Sequence, residues 1–159
     1  MSEDWENGGF GFYIHWPFCA AKCPYCDFNS HVRNNIDQKQ WLRSYLSEIN
    51  RVSKNTSNRS LNSVFFGGGT PSLIEPWVIN DILNEIQKYW KTKDIFEVTL
   101  EANPGSVDAK NFKAYRSAGV NRVSMGIQSL NEKDLKALGR THTVKEALSA
   151  FEIAQQNFT

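Results

Sequence analysis

Short apolar runs alternate with longer segments of helical periodicity along the 159 residues of the chain. The runs occupy residues 10–16, 63–66, 95–103 and 122–128, and each is followed by apolar side chains at helical spacing. Strands that alternate with helices are joined by right-handed crossovers, which produce a parallel sheet. The sequence therefore predicts an α/β fold of four strand–helix units, which is either an open four-stranded sheet or the first part of a longer barrel.

The predicted helices have recognisable ends. Pro76 stands where a first helical turn accepts proline. A helix over about 107–118 ends before Gly119, which suits a left-handed C-cap. Three further helices are predicted to begin at about Asp37, Asn131 and Thr143. The first and last of these starts have capping-box spacing, with Gln or Glu three residues later.

Polar and apolar side chains alternate on the third and fourth predicted strands. On the third strand the polar side carries Glu97, Thr99, Glu101 and Asn103. On the fourth strand the same side carries Ser124, Gly126 and Gln128. A parallel sheet covered by helices on both faces would be apolar throughout. We therefore expect helices on the apolar face and a space for water or ligand beside the polar face; a solvated face of an incomplete sheet is the alternative.

The chain gathers all three of its cysteines at Cys19, Cys23 and Cys26, directly after the first strand. Parallel α/β folds bind ligands at this end of their strands. An odd number of thiols argues against a disulfide framework and favours metal binding. Three cysteines could hold an iron–sulfur cluster with one iron left open for another ligand. Zinc, with His15 or His31 as fourth ligand, is the second interpretation, and unligated thiols are the third.

Charge and composition argue against nucleic acid and membranes as general binding partners. The net charge of +1 gives no general attraction to nucleic acid or to an anionic membrane, and no apolar run is long enough to span a bilayer. The acidic first residues lack the basic and apolar regions of a signal peptide. We therefore expect a cytoplasmic protein. The glycines at 67–69 are not followed by the lysine of a phosphate-binding loop.

Four motifs together resemble the radical S-adenosylmethionine (SAM) superfamily. They are "YIHWPFCAAKCPYCDF" (13–28), "FFGGGTPS" (65–72), "EANP" (101–104) and "RVSMGIQS" (122–129). The match runs from about residue 10 to the end. It implies a parallel (β/α) partial TIM barrel, truncated after about four βα units. Residues 1–9 would be an N-terminal tail and 10–159 the N-terminal part of the radical SAM domain, with the remaining strands and a C-terminal domain absent from the chain.

The resemblance implies two cofactors and a set of contacts. Cys19, Cys23 and Cys26 would bind a [4Fe-4S] cluster whose open iron is chelated by the amine and carboxylate of SAM. In proteins of this superfamily the cluster, reduced by an electron donor, cleaves SAM to a 5′-deoxyadenosyl radical that abstracts hydrogen from a substrate, and the resemblance implies the same chemistry here. The residues implied to contact SAM are Tyr13, Gly68, Gly69, Thr70, Glu101, Gln128 and Arg140.

Individual roles follow from the same resemblance. Glu101 and Gln128 match residues that hold the amine and ribose of SAM, and Arg140 matches a residue that contacts its carboxylate. Tyr13 matches a tyrosine packed close to bound SAM. No catalytic residue is expected beyond the cluster and SAM ligands. The histidines His15, His31 and His142 have no assigned role and are expected at the surface or in loops.

Within the superfamily the chain resembles the branch of oxygen-independent coproporphyrinogen III oxidases and HemW-like heme chaperones. Phe28 stands where the oxidases typically have a further cysteine, and only about nine residues precede the first strand. Both features favour the HemW-like reading, with heme and heme-acceptor proteins as partners of the full-length protein. The alternatives are a coproporphyrinogen III oxidase (dehydrogenase) of porphyrin biosynthesis, acting on a porphyrinogen, and a non-catalytic zinc-stabilised binding module.

Overall fold

The computed structural model describes residues 4–104 and 109–158, without the side chains of residues 109 and 110. Four parallel strands form its main sheet in the order β1-β4-β5-β6. Their bounds are Gly11–Trp16 (β1), Leu61–Gly68 (β4), Thr92–Ala102 (β5) and Arg122–Met125 (β6). A small second sheet pairs Phe18–Cys19 (β2) with His31–Val32 (β3). The predicted parallel α/β fold is confirmed, whereas the small sheet was not predicted.

The helices follow the strands as expected. Their bounds are Asp4–Gly8 (α1), Gln38–Thr56 (α2), Pro76–Tyr89 (α3), Ala109–Ser117 (α4), Glu132–Ala137 (α5) and Val144–Asn157 (α6), with a 3-10 turn at Pro71–Leu73. The short helix α1, within the segment expected to be a tail, was not predicted. The predicted start of the fourth helix near Val107 lies outside the described residues.

Most predicted helix ends are confirmed by their capping groups. The Asp37 side chain accepts a hydrogen bond from the Gln40 N–H, and Pro76 opens α3. Thr143 and Glu146 form a complete capping box at the start of α6. Gly119, after α4, has a φ of +110°, which is the left-handed conformation expected of a C-cap glycine.

The fourth strand ends earlier than its alternation predicts. It stops at Met125 instead of residue 128. The N–H of Ile127 donates to the Met125 carbonyl, and the N–H of Ser129 donates to the Ile127 carbonyl, so the chain turns twice over three residues each. The polar alternation continued into this segment, but a strand requires extended backbone, and Gln128 has a φ of +69°.

The apolar face of the sheet packs against α2 and α3. Phe66 and Leu100 are fully buried from the sheet side, and Ile79, Ile82 and Ile86 are fully buried from α3. Burying each such side chain contributes about 1.5–3 kcal/mol. On the opposite face of β5 one expectation was wrong, because Thr99 does not face an open space. It is fully buried and donates to Glu97.

Strand register brings four chain segments to one edge of the sheet. Trp16 is aligned with Gly68, Phe66 with Leu100, and Ala102 with Met125. The four carboxyl ends therefore lie side by side, and the loops that follow them meet there. Within residues 4–104 and 109–158, the structure contains no helix of the length and apolarity that a membrane span requires.

Candidate cofactor site

A cavity of about 370 Å³ opens at the carboxyl ends of the strands. Its lining includes most of the residues predicted for the site, namely Cys19, Cys23, Cys26, Gly68, Gly69, Thr70, Glu101, Gln128 and Arg140. These residues come from strand ends and loops separated by more than a hundred positions in the chain, yet they surround one space. Tyr13 is the predicted residue that lies outside this lining.

The three thiols approach the cavity from one loop. Cys19 is buried at the end of β2, whereas Cys23 and Cys26 are half-buried, and all three are free of disulfides. The Cys26 N–H donates to the Cys23 carbonyl at 3.0 Å, so a turn brings these two residues together. The Ser30 hydroxyl lies 4.0 Å from the Cys26 sulfur.

The donor set fits a cluster better than a single ion. Within the described residues no group of three or more His, Cys, Asp or Glu side chains is placed to hold one metal ion. The two histidines predicted as a fourth zinc ligand are not directed at the thiols. His15 Nε2 bonds to the Asn29 carbonyl at 3.0 Å, and His31 is exposed to solvent. A four-iron cube instead takes its cysteine ligands on separate corners, around a volume that these three thiols line.

The glycine loop, which is formed by residues 67–69, approaches residues of β1 and β2 closely. A methyl group on Gly69 would lie 2.5 Å from the Phe18 carbonyl oxygen. One on Gly68, whose φ is +114°, would lie 2.6 Å from the His15 ring and 2.9 Å from the Trp16 carbonyl oxygen. The Gly69 N–H also donates to Trp16 at 2.7 Å. The close packing of β1 and β2 against this loop therefore requires glycine at positions 68 and 69, whether or not a ligand is bound.

Two polar residues are fixed beside the glycine loop. The Glu101 carboxylate accepts a hydrogen bond from the Gly68 N–H at 3.1 Å. Thr70 is buried, and its N–H donates to the Phe18 carbonyl at 2.8 Å. Because one oxygen of Glu101 is held by the backbone, its carboxylate is directed at the cavity that it lines.

Tyr13 lies next to the cavity, over the glycine loop. Its ring carbon would be 2.7 Å from a methyl group on Gly67, and its ring stacks on Phe65 with centroids 6.0 Å apart. The side chain is 56% exposed. Burial of part of the ring, and then the negative charge of Glu101, raise the pKa of the Tyr13 hydroxyl. Tyr13 is therefore near Glu101 without lining the cavity.

Gln128 reaches the cavity from a strained turn. Its φ of +69°, together with the bond between Ser129 N–H and the Ile127 carbonyl, corresponds to a three-residue turn of positive φ. Such a conformation costs about 1–3 kcal/mol and persists where the surroundings hold it. His142 supplies part of that support, since its Nε2 bonds to the Ile127 carbonyl at 3.1 Å. His142 lies in the loop between α5 and α6, which agrees with its expected surface or loop position, but it is only 3% exposed.

Arg140 connects the cysteine loop to the strand ends. Its Nη1 donates to the Cys23 sulfur at 3.1 Å and to the Tyr25 hydroxyl at 3.4 Å. Its Nη2 donates to Asn103 Oδ1 and to the Gly126 carbonyl, both at 2.9 Å. Partial burial and a hydrogen bond with Cys23 raise the pKa of Tyr25, while the charge of Arg140 acts in the opposite direction.

A model of the radical SAM superfamily matches residues 13–159. The chain belongs to the radical SAM superfamily. Membership implies SAM and a [4Fe-4S] cluster as cofactors, and the cavity described above presents three thiols and polar side chains to hold them. The predicted family is thereby confirmed.

Curated relatives carry two kinds of name. The radical SAM chain is 47% identical over 148 residues to the heme chaperone HemW of Haemophilus influenzae, covering 90% of the chain and 39% of that relative. Heme chaperone HemW of Escherichia coli is 40% identical over 143 residues, covering 89% and 38%. Radical S-adenosyl methionine domain-containing protein 1, mitochondrial, of Bos taurus is 40% identical over 146 residues, covering 92% and 33%. The chain thus spans about two fifths or less of these relatives.

Solved structures confirm the fold. Coproporphyrinogen III oxidase (HemN) from Escherichia coli aligns with a TM-score of 0.83 at 24% identity, over 94% of this chain and 35% of that one. The anSMEcpe structure with bound AdoMet and a peptide aligns with a TM-score of 0.64 at 18% identity, over 92% and 40%. The radical SAM chain is therefore a partial barrel of this type, as predicted.

Sequence reasoning missed several residues that shape the site. Asn103 was noted as a polar strand residue and as part of the EANP motif, without a role of its own, yet it lines the cavity and binds Arg140. His142 was given no role, and Tyr25 was not connected to Arg140. The contacts of Arg140 and Tyr25 span 115 positions along the chain, so no local pattern could have revealed them.

Proposed function

We propose that the chain is the N-terminal part of a HemW-type heme chaperone, a radical SAM protein acting in heme trafficking and insertion. The observation that carries the proposal is the convergence of three unpaired thiols, the glycine loop and Glu101 on one cavity. Two relatives named heme chaperone HemW, at 47% and 40% identity, support the choice of branch. In this proposal residues 1–9 precede the domain, residues 10–159 begin it, and further barrel strands and a C-terminal domain complete the protein.

In the proposed site Cys19, Cys23 and Cys26 would hold the [4Fe-4S] cluster. The cluster would supply one-electron chemistry to SAM when cluster and SAM are both bound. The protein contributes placement: Glu101, fixed by Gly68, offers a carboxylate oxygen to the SAM amine, and Gln128 offers its amide to the ribose.

Thr70 and the two cavity glycines complete the proposed contact surface. Thr70 provides a hydroxyl beside the thiols, while Gly68 and Gly69 leave room that side chains would fill. Tyr13 would close the side near Glu101. The apolar Phe28 also lines the cavity, with 55% of its surface exposed.

Heme, heme-acceptor proteins and an electron donor are proposed partners of the full-length protein. A cytoplasmic location belongs to the same proposal and is supported by the thiols, because a reducing compartment keeps clustered cysteines available for metal. Coproporphyrinogen III oxidase activity, on a porphyrinogen substrate, is the second candidate. The fold similarity to HemN favours it, while Phe28 at the cavity weighs against it, since the oxidases typically have cysteine there.

The two candidates predict different results with full-length protein reconstituted without oxygen. A heme chaperone should capture heme stably, pass it to an acceptor protein and leave coproporphyrinogen unchanged in the presence of SAM and reductant. Conversion of coproporphyrinogen would establish the oxidase instead. Protein that holds zinc alone, with neither iron nor SAM binding, would overturn both and favour the zinc-stabilised module.

A further inference from the structure

The segment from Gly139 to His142, between α5 and α6, touches three of the loops around the cavity. A methyl group on Gly139, whose φ is +65°, would lie 2.7 Å from the Pro24 ring. Arg140 reaches Cys23 and the strand ends, and His142 binds the Ile127 carbonyl. The segment therefore contacts the cysteine loop on one side and the ends of β5 and β6 on the other.

The guanidinium of Arg140 is fully engaged at both of its terminal nitrogens. Nη1 and Nη2 each have two N–H groups. The former pair is directed at Cys23 and Tyr25, and the latter pair at Asn103 and Gly126. Among the described residues Nε is buried without a hydrogen-bond partner.

Because its terminal nitrogens already have partners, Arg140 is not free to take the role that the resemblance implies, which is a contact with the carboxylate of SAM. A two-pronged contact with a carboxylate uses two adjacent N–H groups of the fork. Here that contact would require Arg140 to release at least one of Cys23, Tyr25, Asn103 or Gly126. The contacts that the guanidinium already makes run between protein loops.

We propose that Arg140 is a positioning residue for the cysteine loop: it holds Cys23 in place as a cluster ligand by an N–H···S hydrogen bond while anchored to the ends of β5 and β6. The inference rests on the proposed cluster, but the hydrogen bonds of Arg140 to Cys23 and to the strand ends are present in the chain without it. Hydrogen bonds to ligand sulfurs and nearby positive charge favour the more negative, reduced form of a cluster. With the cluster bound, Arg140 would therefore also raise its reduction potential.

The test compares Arg140→Gln and Arg140→Lys with wild-type full-length protein, and uses Arg33→Gln as a control that removes the same charge from an exposed position. Hydrogen exchange is followed in the metal-free protein over residues 19–28. The midpoint potential and the electron paramagnetic resonance spectrum of the reduced cluster are then recorded without SAM, and SAM affinity is measured separately.

We expect Arg140→Gln to speed exchange in the cysteine loop about tenfold, as loss of hydrogen bonds from a charged donor implies. The midpoint potential should fall by about 59 mV, which is a tenfold change in a one-electron equilibrium. Arg140→Lys keeps the charge without the fork and should give intermediate values. Arg33→Gln should change neither quantity. If Arg140→Gln does not fold, Arg140→Lys alone decides between intermediate and unchanged values.

Unchanged exchange, potential and spectrum, with only SAM affinity reduced, would overturn the proposal and leave Arg140 as a SAM ligand. Failure of the wild-type protein to form a cluster would instead reject the proposed function. In that case the exchange rates of the metal-free protein still decide whether Arg140 holds the cysteine loop.

Discussion

Substitution of Gly68 by alanine tests whether close packing against β1 requires glycine at this position. The residue has a φ of +114°, and the added methyl group would lie 2.6 Å from the His15 ring and 2.9 Å from the Trp16 carbonyl oxygen. The unfavourable backbone conformation costs about 1–3 kcal/mol, and crowding in a packed site costs about 1–3 kcal/mol more. We expect Gly68→Ala to lower the free energy of unfolding by about 2–6 kcal/mol in total.

The assay is equilibrium unfolding in urea of the metal-free full-length protein, followed by circular dichroism. Gly8→Ala serves as the matched control, because a methyl group on Gly8 meets nothing within 4 Å. The control should change stability by less than about 0.5 kcal/mol. If Gly68→Ala is as stable as Gly8→Ala, the close approach of residue 68 to His15 and Trp16 of β1 is not what requires glycine there.

Two further substitutions test the supports of α6 and of the strained turn. Thr143→Ala removes a capping box and should lower unfolding free energy at neutral pH by about 1 kcal/mol. Hydrogen bonds from the Thr143 backbone and hydroxyl hold the pKa of Glu146 below its ordinary value. This stabilisation is present above the pKa that Glu146 has in the unfolded state, and it is lost as the pH falls through its pKa in the folded state. At about pH 3 the difference in unfolding free energy between wild type and Thr143→Ala should therefore be smaller. A difference equal to that at neutral pH would contradict the reasoning. His142→Ala should cost about 1–3 kcal/mol and speed hydrogen exchange over residues 126–129, and unchanged exchange would reject its role at Ile127.

Local signals in the sequence were enough for the fold. Pro76 and the capping box at Thr143 mark helix starts whose physical causes act within one turn, and both are confirmed. The predicted end of β6 was wrong because Gln128 adopts a positive φ. Glutamine has no special preference for that conformation, so the sequence does not indicate it. Side-chain alternation reports which face a residue would occupy, but it cannot show where extended backbone stops.

The site was predictable where a motif carries its own geometry and not where distant segments meet. The three cysteines, the glycine loop and Glu101 line the predicted cavity because parallel strands align their carboxyl ends. The contact between Arg140 and Cys23 joins positions 117 apart in the chain, and the burial of His142 depends on packing around α6. Such contacts follow from tertiary structure, so the sequence pattern alone could not give them.

The central claim is that three thiolates hold a four-iron cluster and leave one iron for SAM. Mössbauer spectra of oxygen-free, reconstituted full-length protein, recorded with and without SAM, test it most directly. The account predicts one cluster per chain, whose single non-cysteine iron changes its signal when SAM is added. It also predicts loss of the cluster in Cys23→Ala. A spectrum without a four-iron cluster, or one in which SAM alters no iron site, would contradict the account.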